Sequence, residues 1–207
     1  MQNFEAFREI IATPQRIVIT THFKPDADAL GSSLGLAGYL KKKGHQVQVI
    51  TPSDYPKFLN WMQGNDEVLN FEDSKAHKQA IQYIHEADLI FCLDFSALAR
   101  IEAMAEYVRN AKATKVMIDH HINPEDFATF VYHDTKASAT AQLIYQLIVL
   151  LGDKHLIDSA IGESLYAGIM TDTGSFRHPS TTPEVHRIAA DIMELGVNTN
   201  LVHRRIY

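Results

Sequence analysis

The sequence predicts an α/β fold: a mostly parallel β-sheet flanked by helices on both faces, followed by a helical carboxyl-terminal portion. Two observations predict it. As far as Ile118, short β-branched or apolar runs alternate with stretches of helical periodicity, and from about Ser138 the apolar residues recur only at helical spacing. Parallel strands must be joined by long crossovers, usually helices, so the alternation selects a parallel sheet over a series of hairpins.

The first strand is Arg16-Ile17-Val18-Ile19-Thr20, and a polar loop separates it from a helix running from about Ala27 to Lys43, which Gly44 ends. Val47–Ile50, Leu89–Leu93 and Val116–Ile118 follow as second, third and fourth strands, with helical segments between them. Later helices are expected at Ser138–Leu151, at roughly Leu156–Met170 and at Pro183–Leu195, the last with Pro183 at its first position and Thr182 as cap. Tyr55, Phe58 and Trp61 read as a helical apolar stripe facing the core or an interface. Gly31 and Gly35 lie within an apolar helical pattern, which fits close helix packing better than a phosphate-cradling turn. Lys41-Lys42-Lys43 and Arg204-Arg205 read as solvated helix ends. Leu201–Tyr207 is helix-like.

A chain of 207 residues buries one substantial core, and an apolar fraction of 46% with 21% charged residues is that of a folded globular protein. The net charge of −6 argues against binding long duplex nucleic acid through phosphate neutralisation, and leaves a small anionic substrate held by metal as compatible. Cys92 is the one cysteine and sits in an apolar run, which excludes an intrachain disulfide and a cysteine metal site and fits a reducing cytoplasm. Met1–Ile11 has no basic segment or apolar signal core, and no apolar stretch reaches bilayer thickness, so neither secretion nor membrane insertion is expected.

The chemistry gathers where the predicted strands end. His22, Asp26 and Asp28 follow the first strand, Asp94 ends the third, Asp119-His120-His121 end the fourth, and Asp172 follows a helix. Singly, Asp26 reads as a helix cap and Asp94 as a loop residue, but consecutive ionisable residues such as Asp119-His120-His121 seldom serve packing. In a parallel sheet the first three groups converge on one edge. So many carboxylates in one cleft are costly without a neutralising cation. Oxygen and imidazole donors without thiolate suit manganese, magnesium or zinc, and two ions about 3.5 to 4 Å apart with one bridging carboxylate would acidify a water and clamp phosphoryl oxygens. His45, His77, His85, His133, His155, His186 and His203 have no such setting and are expected at the surface. His178 keeps a possible substrate contact through its proximity to Arg177.

The four groups, from His22-Phe23-Lys24-Pro25-Asp26-Ala27-Asp28-Ala29 to Asp172-Thr173-Gly174, resemble the ordered motifs of the DHH phosphoesterases. Thr171–Arg177 and Ala137–Ala141 resemble the branch with an appended DHHA1 domain, which includes oligoribonucleases that clear very short RNAs and dephosphorylate 3′-phosphoadenosine 5′-phosphate. The resemblance implies a manganese-dependent phosphoesterase with His22, Asp26 and Asp94 on one ion, and Asp28, Asp94, His120 and Asp172 on the other, magnesium or another divalent ion being a substitute. It implies that Asp119 orients the imidazoles, that His121 faces the substrate phosphate and protonates the leaving group, and that Arg177 contacts the phosphate. Residues 1–190 are then the catalytic domain and 191–207 the start of a linker, with the family's second domain expected beyond a truncation. The implied partners are a small phosphorylated substrate or short single-stranded RNA, and a homodimer is compatible. Pyrophosphate, polyphosphate and cyclic dinucleotides are alternative substrates for the same core. A non-catalytic metal- or nucleotide-binding module is the alternative of another class.

Overall fold

The computed structural model describes residues 1–207. Its elements begin with α1 (Phe4–Ile10), β1 (Arg16–Thr21), α2 (Ala27–Lys42), β2 (Gln46–Thr51), β3 (Leu69–Asn70), α3 (His77–Glu86) and β4 (Leu89–Leu93). They continue with α4 (Met104–Asn110), β5 (Thr114–Asp119), β6 (Phe130–His133), α5 (Thr140–Leu150), α6 (Ser159–Asp172), α7 (Pro183–Glu194) and α8 (Thr199–Ile206). All strands are parallel, in the order β3-β2-β1-β4-β5-β6. The chain moves outward from β1 to β3 and then returns to the other side of β1. The order therefore reverses between β1 and β4, and the crevice beyond their carboxyl ends is where such sheets bind ligands.

Side chains on a strand point alternately to the two faces, and the burial follows that period. Ile17, Ile19, Leu89, Phe91 and Leu93 join Phe7 of α1 and the apolar residues of α2, α5 and α6 in one core. Val18, Ile90 and Cys92 join Ala80 and Ile84 of α3 and Met104 and Val108 of α4 in a smaller one. Both faces are thus covered, as the alternation of elements predicts, and the helical carboxyl-terminal portion thickens one of them.

On that thicker face α2 starts at the carboxyl edge of the sheet and α6 ends there. Glycine lets them approach: a Cβ on Gly31 would lie 2.3 Å from the Ser164 carbonyl oxygen, and one on Gly35 2.6 Å from Leu165. On α6, a Cβ on Gly168 would meet the Asp28 carboxylate at 2.6 Å. Close packing is the role the sequence predicts for Gly31 and Gly35, and it sets the start of α2 beside the end of α6. Side-chain caps fix the starts of α2, α6 and α7: Asp26 accepts from the amides of Asp28 and Ala29, Asp158 from Ile161, and Thr182 from Val185 beside Pro183.

Several expectations are corrected. α1, β3 and β6 were not foreseen: β3 has two residues and β6 is a four-residue edge strand, too short to show a period. Tyr55, Phe58 and Trp61 do not lie on a regular helix. Pro56 disfavours helix at the residue before it, and only a 3-10 turn at Lys57–Leu59 forms, leaving Phe58 exposed. His45 is buried, because Gly44 turns the chain back at the end of α2 and the ring accepts the Gln15 amide at 3.1 Å through Nδ1. Arg205 is more than a solvated end, its guanidinium lying over the Trp61 ring at 4.9 Å. No helix is long and apolar enough to cross a membrane.

Candidate metal centre

Strand register assembles the centre. Thr21, Leu93 and Ile118 form one row across β1, β4 and β5. The next residues are His22, Asp94 and Asp119, so the sheet delivers an imidazole and two carboxylates to one level of its carboxyl edge. Asp94 adopts a left-handed conformation (φ 64°), which aspartate tolerates better than most residues. Asp28 comes from the first turn of α2, His120 and His121 follow β5, and Asp172 closes α6.

Asp94 connects two sets of donors. Its Oδ2 lies 3.4 Å from His22 Nε2, which is 4.0 Å from Asp26 Oδ1. Its Oδ1 lies 3.5 Å from His120 Nε2, which is 3.4 Å from Asp172 Oδ2 and 3.9 Å from Asp28 Oδ2. These separations are too long for good hydrogen bonds. They approach the ~3 to 3.5 Å between ligands that each lie about 2.1 Å from a shared ion.

The histidine tautomers make the same point. His22 Nδ1 is 2.8 Å from the Phe23 carbonyl oxygen, and His120 Nδ1 is 3.2 Å from that of Ala137. A carbonyl only accepts, so the neutral ring carries its hydrogen on Nδ1 and aims the Nε2 lone pair at carboxylate oxygens. Lone pair against carboxylate is repulsive unless positive charge stands between them. His120 Nε2 is also buried and without a hydrogen-bond partner. The oxygen and imidazole donors, their spacing and this orphaned nitrogen fit divalent ions, one set being His22, Asp26 and Asp94 and the other Asp28, His120 and Asp172.

The electrostatics show the same demand for positive charge. Burial, then the charges of Asp94 and Asp172, raises the Asp28 carboxyl well above the ordinary value. Burial, then Asp94 and Asp26, pushes Asp172 up to about 7. Burial acts to lower His120, but Asp94 and Asp172 outweigh it and raise the ring to about 9. His22 is raised in the same way, burial being outweighed by Asp94, the Phe23 carbonyl and Asp26. Asp94 is itself held low, since His120 and His22 overcome its burial.

Asp119 is fully buried and accepts from His121 Nδ1 at 2.8 Å and from the His121 amide at 3.1 Å. That bond raises the His121 pKa and leaves Nε2 of the half-exposed ring free. Nδ1 of His121 is 3.7 Å from Asp94 but is already engaged by Asp119. Arg177 and His178 stand apart from the cluster. They lie on the exposed turn after α6, where Gly174, Ser175 and Phe176 are all left-handed (φ 56°, 59° and 63°). Arg177 Nε donates to the Gly174 carbonyl at 2.6 Å, and the His178 ring packs where a Gly174 Cβ would be. Neither bonds to the clustered carboxylates.

The start of α5 is the contribution the sequence did not predict. The Thr140 and Ala141 amides donate to Asp28 at 2.6 and 2.9 Å, and Thr140 Oγ1 donates to Asp94 Oδ1 at 2.8 Å. Ala139 gives α5 no side-chain cap, and nothing local in the sequence marks Thr140 as a donor to distant carboxylates.

Comparison with known proteins identifies the family of this fold. The profile described as DHH family, N-terminal domain, matches residues 16–169. The bifunctional oligoribonuclease and PAP phosphatase NrnA of Thermus thermophilus is 33% identical over 87% of this chain and 50% of its own length. The cyclic-di-AMP phosphodiesterase PdeA of Listeria monocytogenes is 24% identical over 97% of this chain and 31% of its own. A crystal structure of an exopolyphosphatase-related protein from Bacteroides fragilis superposes with a TM-score of 0.95 at 37% identity, over 98% of this chain and 59% of that one. The chain thus spans about half the length of the NrnA relative. From β1 to near the end of α6, the stretch that carries five of the six clustered donors, the chain belongs to the DHH family.

Proposed function

We propose that this chain is the metal-binding catalytic domain of a phosphoesterase that cleaves short oligoribonucleotides and 3′-phosphoadenosine 5′-phosphate with two manganese ions. The observation that carries the reading is Asp94, whose two oxygens face His22 Nε2 and His120 Nε2 at 3.4 and 3.5 Å. In this reading His22, Asp26 and Asp94 hold one ion, and Asp28, Asp94, His120 and Asp172 the other, with magnesium or another divalent ion able to substitute. Bound ions would supply charge for the phosphoryl oxygens and acidify a water. The chain's own residues do the rest. Main-chain carbonyls fix the His22 and His120 tautomers, and Asp119 fixes His121 so that Nε2–H of the protonated ring can donate to the leaving oxygen. Arg177 and His178 offer exposed donors to the far side of a phosphate ester.

The similarity to NrnA supports the oligoribonucleotide and 3′-phosphoadenosine 5′-phosphate substrates. Similarity to PdeA favours a second reading, a cyclic dinucleotide. A pyrophosphatase or polyphosphatase would use the same core. The division at residue 190, a cytoplasmic location and a homodimer belong to the same proposal, with the relatives' greater length supporting a further domain.

The test is a panel of 3′-phosphoadenosine 5′-phosphate, a short RNA, cyclic di-AMP and pyrophosphate, each with Mn2+, with Mg2+ and with excess EDTA. Release of phosphate and of mononucleotides from the first two, abolished by EDTA, is the expected outcome. Cleavage of pyrophosphate alone refutes the substrate assignment, and turnover undiminished in EDTA refutes the metal-dependent one.

A further inference from the structure

We propose that Thr140 is a positioning residue that holds Asp94 in its bridging orientation, an inference that rests on the two-ion reading above. A bridging carboxylate must keep its oxygens pointed at two separate donor sets. Rotation about the last torsion of an aspartate is soft, so that orientation needs an outside hold. Thr140 supplies one: its Oγ1 donates to Asp94 Oδ1 at 2.8 Å. Oδ1 is the oxygen on the His120 side, which leaves Oδ2 on the His22 side. Both residues are buried, Thr140 fully, so water cannot take over the hydroxyl's role.

Thr140 also reaches the second carboxylate. Its amide donates to Asp28 Oδ2 at 2.6 Å, and the Ala141 amide donates to Asp28 Oδ1 at 2.9 Å. One residue thus touches two acids that repel each other, Asp94 through its hydroxyl and Asp28 through its main chain. Asp28 is held in place by backbone, which no side-chain substitution at 140 removes. Asp94 depends on the hydroxyl. Valine keeps the shape of threonine without the donor, so it separates positioning from packing, and serine keeps the donor with one methyl fewer.

The experiment uses the whole chain with Mn2+ as the probe, titrated calorimetrically, alongside circular dichroism and turnover of the best substrate. Second-sphere hydrogen bonds to ligands are worth about 10- to 100-fold in metal affinity, so Thr140→Val should bind Mn2+ weaker by that factor. Thr140→Ser should recover most of the loss, and kcat should fall with KM little changed. Thr140→Ala is measured in parallel because a buried hydroxyl replaced by a methyl can compromise folding. Wild-type protein gives a check independent of any variant: the Thr140 side-chain methyl resonance should move when Mg2+ is added, since the hydroxyl beside it serves Asp94. Wild-type Mn2+ affinity in a folded Val or Ala variant, or an unmoved Thr140 resonance, overturns the proposal. No Mn2+ binding by the wild-type chain overturns instead the two-ion reading beneath it.

Discussion

The two ends of α2 stand at opposite edges of one sheet and handle charge in opposite ways. At the carboxyl end of the helix each of three successive lysines has an acidic partner: Lys41 with Glu67, Lys42 with Asp158 at 2.7 Å, and Lys43 with Asp153 at 2.9 Å. Asp153 also accepts from the buried Tyr39 hydroxyl at 2.6 Å. At the amino end Asp26 and Asp28 meet Asp94 and Asp172 around two imidazoles, with no lysine or arginine paired to any of them. The first arrangement is complete within the chain. The second leaves like charges facing one another, Asp28 and Asp94 buried among them, which costs stability unless a cation from outside completes it.

The largest effect that sharpens this contrast comes from Asp94→Ala. Removing the carboxylate that faces both imidazoles should lower turnover by more than the roughly 100-fold that indirect contacts to a metal ligand can cost. Mn2+ stoichiometry should fall from two to none. An unchanged stoichiometry would remove Asp94 from the bridging position.

A medium effect concerns Asp172. Its carboxyl is raised from 3.8 to about 7, so the metal-free folded state holds a proton that the unfolded state has released. This contribution to stability is fully present below 3.8 and gone once the pH has risen past about 7. Asp172→Asn should therefore raise the melting temperature in EDTA at pH 8 by about 2 to 4 °C for each kcal/mol of repulsion relieved, and should reduce the stabilisation that Mn2+ gives the wild type. Equal melting temperatures in EDTA would mean that the acidic edge is not strained.

The smallest effect belongs to the opposite edge and has the opposite sign. Burial, then Lys43, lowers the His45 pKa, so its contribution is present above 6.5 and lost as the pH falls through the folded value. His45→Gln should flatten the acid side of the stability profile, shifting the melting temperature by no more than about 2 °C. A loss on the alkaline side instead would reverse the assignment.

Much of this was legible in the sequence, for a physical reason. A parallel sheet presents every carboxyl end at one edge, so His22, Asp94 and Asp119 could be placed together from the strands that precede them. Asp172 could be joined to them only through the motif resemblance, because its position depends on how closely α6 packs against the glycines of α2. Thr140 escaped notice because its partners Asp28 and Asp94 lie 112 and 46 residues away, and nothing local marks a threonine at a helix start as a donor to other elements. His45 was misplaced for a related reason: one turn at Gly44 decides whether the next residue faces water or the core.

The adjacency of β1 and β4 bears on how the molecule comes to be. Between them in the chain lie α2, β2, β3 and α3, so His22 and Asp94 become neighbours only when a long excursion has folded back. Asp172 joins later still in sequence, from α6. Contacts of such long range are slow to form and scarce in partly structured chains. A divalent ion bound by these residues would thus find its full set of ligands only in the finished molecule, where it would prolong the life of the folded chain without hastening its birth.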